Sequence, residues 1–190
     1  AMQTFPLGNY PYDLFVIDRL GIAAALNEGI DKTRDYDAVC FCGNDIEMPN
    51  NWLLMAVEHI EAIPDTGTCG VYCVENLPAT EVINGKEVHP KEAIFGNVII
   101  PRKAIDTVGY FNEGFDPYGM QDSDYGFRLN KLGFKNYYMK GLQSNHIGHD
   151  VGEQTDYRKM KDEGLSKCDK LWFKYTEQYE RTKNYTIFNK

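Results

Sequence analysis

Positive charge is in short supply: 20 Lys and Arg stand against 28 Asp and Glu, a formal net charge of −8 over 190 residues. A chain with that balance has no broad electrostatic hold on a polyphosphate backbone, which excludes nucleic acid as its main partner. Long apolar runs are also missing. None approaches the roughly 20 residues that a bilayer-spanning helix needs, and the opening AMQTFPLGNY has no basic-then-apolar leader pattern. The expectation is a soluble, cytoplasmic chain without a transmembrane segment. Cysteine is sparse and odd in number: Cys40, Cys42, Cys69, Cys73 and Cys168, with no C-x-x-C pair. That excludes a disulfide framework and points to buried, reduced thiols, with a zinc site as the other reading. Internal repeats and low-complexity stretches are absent.

What is present suits one core. Hydrophobic residues make up 43% and charged residues 25%, too apolar for a disordered tail and too short for two comfortable domains. Tyr12–Asp18 (YDLFVID) reads as a buried strand, and Gly21–Thr33 as a helix with Ile22, Leu26 and Ile30 on one face. Asp37–Cys42 (DAVCFC) is a second buried strand, followed by Gly43-Asn44-Asp45 and by a helix after Pro49. Thr68–Val74 is a third strand, and Asn84-Gly85 between short β segments marks a hairpin over Glu81–Val88. Asn97–Ile100 is a strand, with a short helix from Pro101 to near Gly109. Gly109–Gly119 (GYFNEGFDPYG) reads as a surface loop bordering a cleft. Asp122–Leu132 is a helix stopped by Gly133, Lys135–Met139 and Gln143–His146 are strands, and Glu153–Tyr179 is helical. Strands alternating with helices give an α/β class: a mostly parallel mixed central sheet flanked by helices, with a small β-hairpin. Residues 1–190 are expected to form a single domain, with 153–190 as its C-terminal helical segment.

In such sheets ligands bind beyond the carboxyl ends of the strands. Three of those ends carry polar chemistry: Asp18, Asn44-Asp45 and His146-x-x-His149. A carboxylate beside a glycine suits a hard divalent cation carrying a diphosphate, although Asp45 would also serve as a turn cap. Asp122 and Asp124 fall in the first turn of their helix, where the helix dipole favours a carboxylate. There Asp122 is either a cap or an ionised base able to accept a hydroxyl proton, and Asp124 is spaced to meet Arg128 at i+4.

Five segments, in order, carry a resemblance: GIAAALNEGI, VCFCGNDIEMPNNWL, GNVIIPRKAIDTVGYFNEGF, YGMQDSDYGFRLNKLGFK and NHIGHD, spanning Gly21 to Asp150. Together they resemble family-2-like glycosyltransferases of the GT-A fold, the nucleotide-diphospho-sugar transferases. The resemblance implies a GT-A-like domain that moves a sugar from a nucleoside-diphosphate sugar, UDP-sugar favoured, to a hydroxyl of a glycan or glycoprotein acceptor. It implies Mn²⁺ or Mg²⁺ on Asp45, the last acid of a DxD-type motif, with His146 as an additional ligand. Asp122 matches the catalytic base of inverting members, and Asp18 the acid that contacts the base or ribose. Gly96 and Asn97 match the donor-sugar pocket, and Trp52 a position facing the acceptor.

The segments also depart from the family's pattern. Gly43 stands where the first acid of DxD would be, leaving Asn44 or Glu47 to assist. Gln121 replaces the acid before the base, and its amide is expected to bind the sugar. The stretch ahead of GIAAALNEGI is shorter than the family's βαβ unit, as expected of either a compact variant or an incomplete chain with further domains in a larger polypeptide. A catalytically silent sugar-nucleotide or glycan-binding domain is the alternative from a different class. A sugar-phosphate nucleotidyltransferase is the rival enzyme, for which the Gly-rich, basic phosphate loop is lacking.

Overall fold

A computed structural model of the chain describes residues 21–73, 77–94, 97–147 and 156–189. The expected strand at Tyr12–Asp18 lies outside them, as do Asp18, Gly96 and His149. In chain order the elements are α1 (Ile22–Lys32), β1 (Ala38–Cys42), β2 (Ile46–Glu47), α2 (Trp52–Ala62), β3 (Thr66–Tyr72), β4 (Glu81–Ile83) and β5 (Lys86–Pro90). They continue with β6 (Asn97–Pro101), α3 (Arg102–Val108), a 3-10 turn at Glu113–Phe115, α4 (Gln121–Lys131), β7 (Lys135–Gln143), β8 (Asn145–His146) and α5 (Asp156–Thr182).

The class is mixed α/β, but the described sheet corrects the expectation of mostly parallel pairing. Six strands lie in the order β1-β6-β3-β7-β5-β4. Only β3 and β7 pair in parallel; β1–β6, β6–β3, β7–β5 and β5–β4 are antiparallel. β1, β3 and β7 do run the same way, as helical crossovers require, yet β6 is wedged between β1 and β3 in the reverse direction. A fully buried apolar run such as NVIIP is the same string in either direction, so the pattern carries no sign for pairing. The hairpin at Asn84-Gly85 is present, with both residues at positive φ as its tight turn requires.

Side-chain alternation sorts the core onto two faces. Val98, Ile100 and Tyr138 face α1, α3 and α4 with Ile30, Ile105, Tyr125 and Leu129. Ile99, Tyr137 and Met139 face α2 with Ala56 and Ile63. Cys69 and Cys168 are buried as expected, whereas Cys40 and Cys42 are exposed on β1, because they alternate with the inward-facing Val39 and Phe41.

Gly109–Gly119 corrects a second expectation, since much of it is interior. Phe111 stacks on Tyr125 at 3.9 Å between centroids and meets Phe41 edge-on at 5.7 Å. Phe115, fully buried, packs against Tyr175 of α5. The segment's aromatic rings are core side chains here rather than a surface lining. Asp116 caps α1 across the chain, its two carboxylate oxygens accepting from the Ala23 and Ala24 amides at 2.8 and 3.1 Å.

Beneath this loop lies an ion pair with both side chains at 0% exposure. Arg128 Nε donates to Asp124 Oδ2 at 2.8 Å, and its Nη atoms donate to the Val108 and Tyr110 carbonyls. Burial pushes the Asp124 carboxyl pKa up, against the pull of the adjacent guanidinium. Removing one partner strands the other charge in the interior. Arg128→Ala is therefore expected to cost about 3–5 kcal/mol in urea denaturation, while the double change Asp124→Leu/Arg128→Met costs clearly less. Equal losses in the two variants would show that the charge pairing is not what matters.

A second fastening is at the surface. Hydrogen bonds from Lys131 and Lys183 lower the Glu180 carboxyl from its usual 4.5 to about 2, joining α5 to α4. A lowered carboxyl pKa stabilises the fold above the unfolded value and loses that effect as pH falls through the folded one. The stability difference between the wild type and Glu180→Gln should thus be present at pH 6 and shrink between pH 4.5 and 2. Melting curves across that range test it; a constant difference would refute the linkage.

Candidate active site

One edge of the sheet gathers the ends of β1, β3 and β7 and the start of β6: Cys42 pairs with Asn97, and Tyr72 with Gln143. Immediately beyond it, β2 and β8 zip together antiparallel, with Ile46 opposite His146 and Glu47 opposite Asn145. The Ile147 amide donates to the Asp45 carbonyl at 2.9 Å, closing this small ladder. The result places His146 Nε2 2.9 Å from Asp45 Oδ2, joining residues 101 positions apart. Gly43 makes room for this turn, since a Cβ there would stand 2.9 Å from Asp45 Oδ1.

Both side chains remain accessible, Asp45 at 46% and His146 at 30%. A carboxylate oxygen and an imidazole nitrogen on neighbouring positions of one octahedral ion are about 3 Å apart, given bonds of about 2.1 Å. The observed separation fits that geometry. Among the described residues no cluster of three or more His, Cys, Asp or Glu side chains forms a closed protein cage. An ion held by these two side chains alone would keep open positions for phosphate oxygens and water, the mode that Mg²⁺-type sites favour. Of the expected assistants, Asn44 is exposed at the turn, and Glu47 Oε2 accepts from Asn145 at 3.3 Å.

Asn97 is buried at this same edge. Its Nδ2 donates to Ser144 Oγ at 2.6 Å and to the Val71 carbonyl at 3.2 Å, while its Oδ1 has no hydrogen-bond partner among the described residues. Ser144 in turn is bound to the Tyr72 carbonyl through both its amide and its hydroxyl. Ser144 thus fixes the junction between β7 and His146. No sequence signal singled it out, because a lone serine after a strand is common.

Asp122 sits in the first turn of α4, half-buried. A three-residue connection joins α4 to β7, so the helix runs back along its strand and its N-terminus lies toward the edge where β7 ends. That direction turns the Asp122 end of α4 toward the side of the sheet that carries Asp45 and His146. The turn before it is tightly wound: Gly119 has φ 132° and Met120 φ 31°. Gln121 is buried, and its Oε1 accepts from the Gly119 amide at 2.9 Å, so that oxygen is engaged in holding the turn. Asp124 pairs with Arg128 as the i+4 spacing implies. Trp52 opens α2 and packs partly against the α2-side core.

The profile of "Glycosyl transferase family 2" matches residues 11–121, which include Asp45 and Asn97 and stop one residue short of Asp122. No curated protein matches the chain. Among solved structures, "Crystal structure of GalNAc-T7 with UDP, GalNAc and Mn2+" superposes with a TM-score of 0.58 at 14% identity, over 72% of this chain and 32% of that one. At that identity the likeness is one of fold. The present chain spans about a third of that protein's length. With more than half of its residues inside the family profile and a GT-A-like fold around the Asp45–His146 edge, the chain belongs to glycosyl transferase family 2.

Proposed function

We propose that this glycosyltransferase moves a hexosyl group from a nucleoside-diphosphate sugar, UDP-sugar first, to a hydroxyl of a glycan or glycoprotein acceptor, with inversion at the anomeric carbon. The observation that carries the reading is the 2.9 Å approach of His146 to Asp45, at the sheet end toward which the α4 N-terminus points. UDP and Mn²⁺ are favoured because the structural neighbour holds both. A divalent cation held by Asp45 and His146 would offset the negative charge that builds on the departing diphosphate.

The chain's own groups do the rest. Asn97 Oδ1, buried and without a partner among the described residues, is an acceptor available to a donor-sugar hydroxyl or amide. In this reading Gly96 would serve the sugar and Asp18 the nucleoside, both outside the described residues. Asn44, exposed beside Asp45, and the remaining amide donors of Gln121 complete the site's polar rim. Asp122 accepts the proton of the acceptor hydroxyl as that oxygen attacks from the face opposite the leaving group. Its place in the first turn of α4 favours the ionised carboxylate needed for that role. Trp52 supplies an apolar face for the acceptor ring. The five free thiols suit the cytoplasm, and further domains of a larger polypeptide would supply acceptor selection.

Asp122→Asn is expected to lower turnover by about 10²–10⁴-fold while UDP affinity in Mn²⁺ stays unchanged by calorimetry. Near-normal turnover would remove Asp122 from the role of base. For the nucleotide, a melting panel of UDP, GDP, CDP and dTDP with and without Mn²⁺ should single out UDP plus metal, because a ligand of the native state raises apparent stability. Asp45→Ala and His146→Ala should each abolish the metal-dependent part of that shift. If both variants keep it, the metal assignment fails.

A further inference from the structure

Four residues of α5 occupy one face at helical spacing: Gly164, Cys168, Tyr175 and Tyr179. Each meets the segment that leads into α4, and in order. Tyr179 hydroxyl accepts from Asn112 Nδ2 at 3.0 Å, close beside Asp124. Tyr175 lies against Gly114 and packs its ring on Phe115 at 5.2 Å. Cys168 Sγ sits 3.6 Å from the Phe115 carbonyl and 3.5 Å from that of Tyr118. Gly164 faces the Tyr118 carbonyl so closely that a Cβ would stand 2.6 Å from the oxygen. Gly119 is equally constrained from the other side, where a Cβ would stand 2.7 Å from Cys168 Sγ. The contact series ends at the two residues with left-handed backbone, Gly119 and Met120, directly ahead of Gln121 and Asp122.

We infer that this face of α5 is a positioning element for the first turn of α4, with Gly164 as its most sensitive point. A backbone turn held at φ 132° and 31° persists only where its surroundings over-determine it. Here the surroundings are α5 on one side and the Gln121 side chain on the other. The inference deepens the proposed role of Asp122 and rests on it for its catalytic consequence. A small outward shift of Tyr118 would rotate the turn and displace the carboxylate, and misplacement of about 1 Å costs on the order of 10²-fold in rate. Donor binding at Asp45, His146 and Asn97 involves none of these contacts.

The test uses the full chain carrying Gly164→Ala, a change that raises helix propensity in α5, so a loss cannot come from weakening α5 itself. UDP release from UDP-N-acetylgalactosamine and UDP-glucose in Mn²⁺ is measured beside UDP affinity and hydrogen exchange of residues 115–125. The expected result is kcat at least tenfold lower, UDP affinity within twofold, exchange of that segment at least tenfold faster, and a displaced acid limb in the kcat–pH profile. Tyr179→Phe, which keeps the ring and removes only the hydroxyl, should show the same split with a smaller loss. Unchanged exchange and kcat in the two variants would overturn the inference, as would kcat and UDP affinity falling in parallel. Asp122→Asn measured alongside separates the two ideas. If it retains turnover while Gly164→Ala alters exchange and kcat, the base assignment fails and the positioning stands. If it abolishes turnover while Gly164→Ala changes nothing, the reverse holds.

Discussion

A guanidinium held away from water organises half of this molecule. Arg128 reaches Asp124 on its own helix and the Val108 and Tyr110 carbonyls on the chain leading out of α3. On the other side Asn112 donates to the Tyr179 hydroxyl of α5, close beside Asp124. Such an arrangement is not a large net source of stability, because desolvating both charges offsets most of their attraction. Its value is selective: a shifted α4 would leave a charge and two carbonyls unsatisfied in the interior. Helix, loop and C-terminal helix are thereby held to one mutual arrangement, and Asp122 rides on the helix so fixed.

The legible part of the fold was the part set by local pattern. Helical periodicity located α1, α2 and α4, the Asn84-Gly85 turn located the hairpin, and the i+4 spacing paired Asp124 with Arg128. Partners across the chain were not legible. Asp116 capping α1 over 93 positions, or Gly164 against Tyr118, depends on how separately formed elements dock, and no local propensity encodes docking. The Gly109–Gly119 segment shows the limit clearly. Its glycines and aromatics match the composition of an exposed loop, but Phe111 and Phe115 had a core to enter once Tyr125 and Tyr175 faced them.

The site divides in the same manner. Asp45 and His146 stood out in the sequence as polar groups at strand ends, although Asp45 read equally well as a turn cap. The mini-sheet of β2 and β8 that brings them to 2.9 Å is only two residues long on each strand, below what alternation can reveal. Ser144 and the Asn97 amide were invisible as a pair for a related reason: their bond spans 47 positions and neither residue type is unusual alone.

The reversed strand explains why Asn97 is at this edge at all. In an all-parallel sheet every strand sends its carboxyl end to the ligand, and a polar residue at a strand's start lies on the far side. β6 runs against β1 and β3, so its first residue pairs with Cys42 at the edge that carries Asp45 and His146, while its last pairs with Ala38 at the opposite one. That far end is closed structurally, with the Arg102 amide donating to the Asp37 carbonyl at 2.7 Å and its guanidinium to the Tyr36 and Thr33 carbonyls. The near end keeps a buried amide whose Oδ1 no group among the described residues satisfies. Leaving such an acceptor unmade costs free energy, and an N–H or O–H donor on a bound ligand would recover it. The antiparallel insertion is therefore what brings the polar beginning of a hydrophobic strand to the same edge as Asp45 and His146.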